Sequence, residues 1–202
     1  MQRRQFITAA AAALSVPALV SPAQAAPVSL DALSAYLNGL VTAQTRFVQL
    51  NADGTRSQGK LFIHRPGRMR FEYDPPDEAL VLASGSTVAI FDAKSNSEPT
   101  QFPLRRTPLN LILGRNINLR GDRMVFAHTE SNGLTVVSAR DPKQPDAGSI
   151  EMFFQPDPIE LKSWIVTDES GSRTRVDLGP LETGMSFGSS LFSIEVEIGR
   201  RG

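Results

Sequence analysis

Residues capable of catalytic chemistry are few in this sequence, and their spacing joins none of them into a recognisable active site. The two histidines, His64 and His128, lie far apart and form no metal-binding motif. Three carboxyl residues in the stretch DPPDE, 74–78, could act as the acid and base of a glycosidase, although an acidic turn between strands is the commoner origin of such a cluster. Because cysteine, a P-loop and a G-x-G-x-x-G motif are also absent, we predict a non-enzymatic protein with no catalytic residue, no metal site and no cofactor.

Apolar side chains in strand-like alternation are the stronger signal. In the stretch GKLFIHRPGRMRFEY, 59–73, the second run places Met69, Phe71 and Tyr73 on one face and charged residues on the other. This period is typical of a sheet with one apolar and one wet face. The pattern alone leaves open whether the apolar face is an ordinary core or a binding surface, and composition favours the core.

A short apolar helix is predicted in the stretch TPLNLILG, 107–114, with Thr107 as N-cap, Pro108 at the first helical position and Gly114 at its end. A helix this short is not stable alone, so it must lie on apolar surface. Together with the sheet it provides a continuous apolar surface, which is either core or a binding site. The residues of this candidate surface, with Arg65 at the turn beside it, are Leu61, Ile63, Arg65, Met69, Phe71, Tyr73, Val88, Ile90, Leu109, Leu111, Ile112, Leu113, Met152 and Phe154.

The elements that must position these residues are one amphipathic helix and many short strands. The helix, 29–41, carries a leucine stripe and begins after Ser29, a natural N-cap. Turn signals such as Asn132-Gly133 and Ser170-Gly171 separate the strands. Short strands with close turns favour an antiparallel meander that forms a curved sheet or barrel. The predicted strands are 43–51, 58–64, 69–73, 79–83, 87–92, 124–129, 134–139, 150–155, 161–168, 173–178 and 191–198.

The first 25 residues have the pattern of a secretory signal peptide, with a basic start, an Ala-rich apolar stretch and a small-x-small cleavage site ending at Ala25. Arg3-Arg4 also fits a twin-arginine signal, and an ordinary secretory signal is the alternative. Residues 26–202 are expected to form a single domain in the periplasm. The 21 basic and 21 acidic residues balance, which argues against a nucleic-acid partner because such proteins normally carry a basic excess.

From Phe47 to Ala93 the sequence resembles the periplasmic lipoprotein carrier family, LolA. The resemblance lies in FVQ at 47–49, GKLFIHRPGRMRFEYDPPDE at 59–78 and LVLASGSTVAIFDA at 80–93, followed by TPLNLILG. It extends from the first helix to about Asp177. The sequence departs from the family at Met69, where an aromatic residue is usual, at Phe71, where Trp is usual, and in the C-terminal LFSIEVEIGRRG.

The resemblance implies a mainly β fold: an unclosed antiparallel half-barrel whose apolar concave face is covered by an N-terminal helix and short helices as a lid. It implies a monomeric carrier that binds lipoprotein acyl chains in that cavity. The carrier would receive lipoproteins from an inner-membrane ABC transporter and deliver them to an outer-membrane acceptor or to the outer membrane itself. Arg65 matches the family arginine that hydrogen-bonds to the lid. The alternatives are an envelope-sensing interaction module on the same half-barrel and a carrier of other lipids.

Overall fold

The computed structural model describes residues 26–93, 98–121 and 123–201. The predicted signal peptide, 1–25, lies outside the described residues. No helix in these ranges is both long and apolar enough to cross a membrane.

One twelve-stranded antiparallel sheet forms most of the molecule. Its order is β6-β5-β4-β3-β2-β1-β11-β10-β9-β8-β7, and β12 pairs with β1 beside β11. The path ends at β6 and β7, so the sheet curves without closing, as predicted. The strands are β1 Thr42–Leu50, β2 Arg56–His64, β3 Arg68–Tyr73, β4 Leu80–Ser84, β5 Thr87–Phe91, β6 Thr100–Pro103, β7 Val125–Ser131, β8 Leu134–Ala139, β9 Ser149–Pro156, β10 Ile159–Thr167, β11 Arg173–Leu178 and β12 Glu182–Thr183.

Helical segments flank the sheet on both faces. The N-terminal helix α1, Leu30–Gly39, begins where the hydroxyl of Ser29 accepts a hydrogen bond from the Ala32 amide at 3.2 Å, which satisfies one of the orphan donors of the first turn. The other helical segments are α2 Asn110–Leu113, α3 Ile194–Arg201 and the 3-10 turns Leu104–Arg106, Pro145–Ala147 and Ser189–Phe192.

The main core lies on the concave face, between the sheet and α1. Leu33 and Leu37 of α1 are buried against inward-facing residues of both halves of the sheet, including Phe47, Leu61 and Met152. Because alternate strand residues face the same side, most strands contribute alternate side chains to this core.

A second apolar cluster lies on the convex face. Phe192 and Ile194 of the C-terminal segment are buried against Leu80, Leu82 and Phe91 of β4 and β5. Arg70 and Glu197, both buried, form an ion pair of 3.1 Å beside this cluster. The C-terminal segment is thus a cover for the outer side of the sheet.

The predicted strand 191–198 is wrong, because this segment is a 3-10 turn followed by α3. Its alternation of apolar and acidic residues imitates a strand, but burial of Phe192 and Ile194 on the convex face and the ion pair of Glu197 stabilise a helix instead. Two observed strands, β6 and β12, were not predicted: β6 ends in Pro103, and β12 has only two residues.

Candidate functional site

An apolar cavity of about 500 Å³ opens on the concave face, beside the part that α1 covers. It lies between strands of both halves of the sheet and the segment that leads into α2. Its apolar wall is formed by Phe71, Tyr73, Val81, Phe102, Leu109, Trp164, Val166 and Val176.

Aromatic contacts shape the floor of this cavity. The rings of Phe71 and Trp164 meet edge to face with centroids 6.4 Å apart. Phe47, buried behind them, makes similar contacts of 5.2 Å with both Phe71 and Tyr73. Such edge-to-face pairs add directional stabilisation to the burial of the rings, so the floor is a fixed apolar surface.

A polar strip runs along one wall of the cavity. The Tyr73 hydroxyl donates to Oε1 of Gln49 at 2.8 Å, and Nε2 of Gln49 donates to Oδ1 of Asn51 at 2.6 Å. Burial raises the pKa of Tyr73 to about 12. The phenol therefore stays protonated at physiological pH and keeps its role as donor.

The mouth of the cavity carries charge. Arg106 Nη2 lies 3.3 Å from Glu169 Oε2, and both side chains are exposed. Next to Glu169, the carboxylate of Asp168 accepts hydrogen bonds from the Ser170 hydroxyl and the Ser172 amide. The Ser170 hydroxyl and the turn amides lower the pKa of Asp168, so this carboxylate stays ionised.

Arg65 joins the two helices of the lid. Its guanidinium donates from Nη1 to the carbonyl of Leu37 in α1 and from Nη2 to the carbonyl of Gly114 at 2.6 Å, just after α2. The side chain is only 7 % exposed, and burial lowers its pKa. Next to it in the β2–β3 turn, the Gly67 amide donates to the carbonyl of Leu113 at 2.9 Å. The turn therefore satisfies carbonyls that the ends of both helices leave free.

Further hydrogen bonds hold α1 in place. The side-chain amide of Asn38 both donates to and accepts from the backbone of Ile117, at 2.8 and 2.9 Å. In the other half of the sheet, the hydroxyl of Tyr36 accepts a hydrogen bond from the Leu161 amide of β10 at 3.0 Å. A bulge interrupts the pairing of β9 and β10 at this point. The lid is thus bonded to both halves of the sheet.

Apart from Arg65, the predicted site residues fall into three groups in the structure. Phe71, Tyr73 and Leu109 line the cavity. Ile90 shares the face of Val88 but is 38 % exposed and lies off the cavity wall. The third group is buried in, or packs against, the core next to the cavity: Leu61, Ile63, Met69, Val88, Leu111, Ile112, Leu113, Met152 and Phe154.

The sequence-based set omits several residues of the cavity wall, notably Trp164, Val166 and Val176. They occupy alternate positions of β10 and β11, the same signal that identified Phe71 and Tyr73 on β3. The alternation was therefore present in the sequence, but only the tertiary fold brings β3 and β10 to opposite walls of one cavity.

The candidate catalytic groups are held in separate local contacts. His64 Nε2 accepts from Arg68 Nη2 at 3.1 Å, whereas His128 Nε2 donates to the Val28 carbonyl at 2.9 Å. Asp74 of the DPPDE stretch is ion-paired with Arg46, whose hydrogen bond lowers the pKa of that carboxyl. A glycosidase acid needs a raised pKa, so Asp74 does not suit that role.

The expectation that the sequence lacks the G-x-S-x-G motif of a hydrolase nucleophile is wrong, because the stretch GMSFG, 184–188, has this pattern. That motif requires a sharp turn between a strand and a helix. Here Ser186 is exposed, and residues 185–188 form neither strand nor turn. The local backbone therefore differs from a nucleophile elbow.

Comparison with known proteins assigns the chain to a family. Residues 38–195 match the model of the family described as outer membrane lipoprotein carrier protein LolA. An outer-membrane lipoprotein carrier protein of Chromobacterium violaceum is 32 % identical over 179 residues, covering 85 % of this chain and 82 % of the relative. The corresponding protein of Azotobacter vinelandii is 27 % identical over 190 residues, covering 89 % and 90 %.

Among solved structures, a LolA superfamily protein from Nitrosomonas europaea aligns with a TM-score of 0.45 at 11 % identity, covering 82 % of this chain and 98 % of that one. The family model spans most of the sequence, from the end of α1 to the start of α3. The chain belongs to the outer membrane lipoprotein carrier family, LolA.

Proposed function

We propose that this protein is a periplasmic carrier that binds the acyl chains of lipoproteins in its concave cavity and moves them from the inner to the outer membrane. The observation that carries the proposal is the apolar cavity of about 500 Å³ next to a lid bonded by Arg65. Its proposed partners are an inner-membrane lipoprotein-releasing ABC transporter as donor and an outer-membrane acceptor, or the outer membrane itself, as recipient.

The cavity supplies the binding free energy. Each buried methylene of an acyl chain contributes about 0.8 kcal/mol, so a long chain against Phe71, Trp164 and Val176 would be held strongly. The core residues beside the cavity, such as Met69 and Phe154, take part if α1 moves away from them on loading. In that case the predicted residues outside the present cavity become acyl contacts.

Arg65 is proposed to oppose loading. Its hydrogen bonds to Leu37 and Gly114 close the lid, and a hydrogen bond from a charged donor contributes about 1.5–3 kcal/mol net. Acyl burial must exceed this free energy for the lid to open. Closure then helps to expel the acyl chains at delivery.

Transfer of a labelled lipoprotein tests the proposal. Spheroplasts that display the lipoprotein are incubated with the purified carrier, and the soluble complex is then mixed with outer-membrane vesicles. We expect the carrier to release the lipoprotein into the soluble fraction and then to deposit it in the vesicles. A lipoprotein that remains with the spheroplasts at every carrier concentration would contradict the function.

A further inference from the structure

We infer that this protein docks on anionic membranes through a basic surface beside its lid. Four exposed cationic side chains, Arg115, Arg123, Arg140 and Lys143, form this surface, the basic rim, and the exposed ring of Phe126 lies next to them. The inference goes beyond acyl carriage, because it concerns how the carrier meets a lipid surface and is testable with the empty protein.

The basic rim surrounds a small pocket of about 240 Å³ between the end of α2 and the loop that follows β8. Gly114 and Asn116 line this pocket, so Arg115 between them lies at its edge. Lys143, from the loop after β8, lines the same pocket. Two cations that are far apart in the sequence are thus brought to one site by the fold.

The start of β7 and the end of β8 contribute the other two cations. The Arg140 amide donates to the carbonyl of Met124 at 2.9 Å, and Met124 lines the pocket directly after Arg123 in the chain. The guanidinium carbon of Arg140 lies 5.4 Å from the centroid of the Phe126 ring. Phe126 occurs where a bulge interrupts the pairing of β7 and β8 and is 55 % exposed. The charges and the aromatic ring therefore form one continuous surface.

Positive charge is in excess at the basic rim. None of its four side chains forms an ion pair with another residue of the described ranges. Asp141 is the one carboxylate on the described wall of the pocket, and it already accepts a hydrogen bond from the Lys143 amide at 2.8 Å. The neighbouring connection 104–123 contains five arginines and a single aspartate. This surface therefore attracts anions.

An anionic lipid surface fits both the charge and the ring. The whole chain has as many acidic as basic residues, so attraction to an anionic membrane must come from a local surface and not from net charge. Cationic side chains near such a membrane bind its phosphate groups. Phe126 is the most exposed of the large apolar side chains that the structure describes, and aromatic rings are favourable in the headgroup region.

Docking in this orientation brings the membrane to one end of the lid. Gly114 lines the pocket, and its carbonyl accepts a hydrogen bond from Arg65. The bond that joins α2 to the β2–β3 turn therefore lies beside the basic rim. A docked carrier presents this end of its lid to the lipid.

Vesicle binding by the empty carrier tests the inference. The delipidated protein is mixed with vesicles of phosphatidylcholine alone or of phosphatidylcholine with phosphatidylglycerol, and the bound fraction is measured by flotation at several salt concentrations. We expect binding to the vesicles that contain phosphatidylglycerol and much weaker binding to phosphatidylcholine alone. The binding should weaken as salt is raised, because exposed charges are screened.

Single substitutions locate the surface. Arg115→Gln and Lys143→Gln should each lower the affinity for the anionic vesicles about fivefold, the size expected for one cation near a charged membrane. Arg56→Gln is the matched control, because Arg56 is exposed and lies at the start of β2, away from the pocket. Phe126→Ser should lower the affinity about tenfold, and this loss should persist at high salt. Thermal unfolding confirms that each variant is folded.

The outcomes distinguish this inference from the proposed function. Equal binding to both kinds of vesicle, or equal losses for Arg56→Gln and Lys143→Gln, would overturn docking through the basic rim. Retention on immobilised polyglutamate without binding to anionic vesicles would assign the surface to an acidic protein and would also overturn it. Lipoprotein transfer can succeed in each of these cases. Conversely, vesicle binding without any transfer of lipoprotein would contradict the proposed function and leave the docking surface standing.

Discussion

Arg65 is the residue whose side chain bonds both helices beside the cavity. It is buried, it is charged, and its guanidinium bonds carbonyl groups at the ends of two helices. Five donors in a planar fork suit such divergent acceptors better than the single ammonium of lysine. One side chain therefore bonds both helices, in addition to the hydrogen bonds of Asn38, Tyr36 and the Gly67 amide.

Replacement of Arg65 by leucine is expected to keep or tighten acyl binding and to slow delivery. Loss of a charged hydrogen bond that exists only in the closed state removes about 1.5 kcal/mol or more, so release to acceptor vesicles should slow by roughly tenfold. Time courses of labelled lipoprotein measure both its binding to the carrier and its release to acceptor vesicles. Arg120→Leu is the control because Arg120 is exposed and pairs only with Asp31 in the described contacts. Equal transfer rates for wild type and Arg65→Leu would remove Arg65 from the mechanism.

Glu197 is, like Arg65, a buried charged residue, and it lies on the convex face. Burial opposes its charge, but the hydrogen bond from Arg201 and the charge of Arg70 outweigh burial and lower its pKa. Glu197→Gln leaves Arg70 with the half-exposed Glu72 as its described ion-pair partner and with the Leu191 carbonyl as an acceptor. We therefore expect a loss of about 1–3 kcal/mol in the free energy of unfolding, less than for a wholly unpaired buried charge. Urea titration measures this, with the exposed Glu195→Gln as the control that should change little.

The lowered pKa of Glu197 also predicts that the stability of the fold depends on pH. The folded-state pKa of Glu197 lies below its ordinary value of 4.5, so the unfolded chain binds the proton more readily. The stabilisation by Glu197 is complete above about pH 4.5 and is lost as the pH falls toward the folded-state pKa. The difference in stability between wild type and Glu197→Gln should therefore shrink in acid, and a constant difference down to the acid transition would contradict this.

At the scale of elements, the open sheet has to protect its edges. The Leu104 amide donates to the Ser86 carbonyl at 2.8 Å, and the register of β5 and β6 then turns the backbone groups of Pro99, Gln101 and Pro103 away from β5. Proline has no N–H to offer another strand. Two of three outward positions are therefore unable to donate, which disfavours pairing with a second chain.

Pro103→Val restores an outward donor and a good strand former at this edge. We expect the variant to self-associate at concentrations at which the wild type elutes as a monomer, because main-chain pairing at an unprotected edge becomes possible. Size-exclusion chromatography with light scattering measures it. Pro145→Val, in an exposed 3-10 turn away from the sheet edge, is the control. A monomeric Pro103→Val would show that the proline does not guard the edge.

At the scale of the whole molecule, the predicted signal peptide directly precedes the folded domain. The pattern of residues 1–25 predicts cleavage before Ala26. A short segment from Ala26 leads into α1. The Val28 amide donates to the Thr135 hydroxyl at 2.8 Å, so the start of this segment is tied to β8. The intact mass of the periplasmic protein should correspond to a chain that starts at Ala26. A full-length species in the membrane fraction would contradict the prediction.

The sequence by itself determined the local structure of this protein, namely its N-terminal helix and most of its strands. The N-cap at Ser29, the period of two in β3 and the turn glycines predict the helix and most of the strands, because these features depend on neighbours in the chain. The same alternation predicts an apolar face with Phe71 and Tyr73 on it. The resemblance in the segment 47–93 then predicts the family and the unclosed half-barrel.

The tertiary structure alone decided which apolar residues form a cavity and which form the core. Leu61 and Phe71 lie opposite each other on β2 and β3 and face the same side, yet Leu61 is buried in the core and Phe71 borders the cavity. Likewise, the segment 191–198 reads as a strand by itself, and only the convex surface of β4 and β5, with Arg70 beside it, makes the helix more stable. Burial against a distant partner is a property of the packed chain, so no local pattern could specify it.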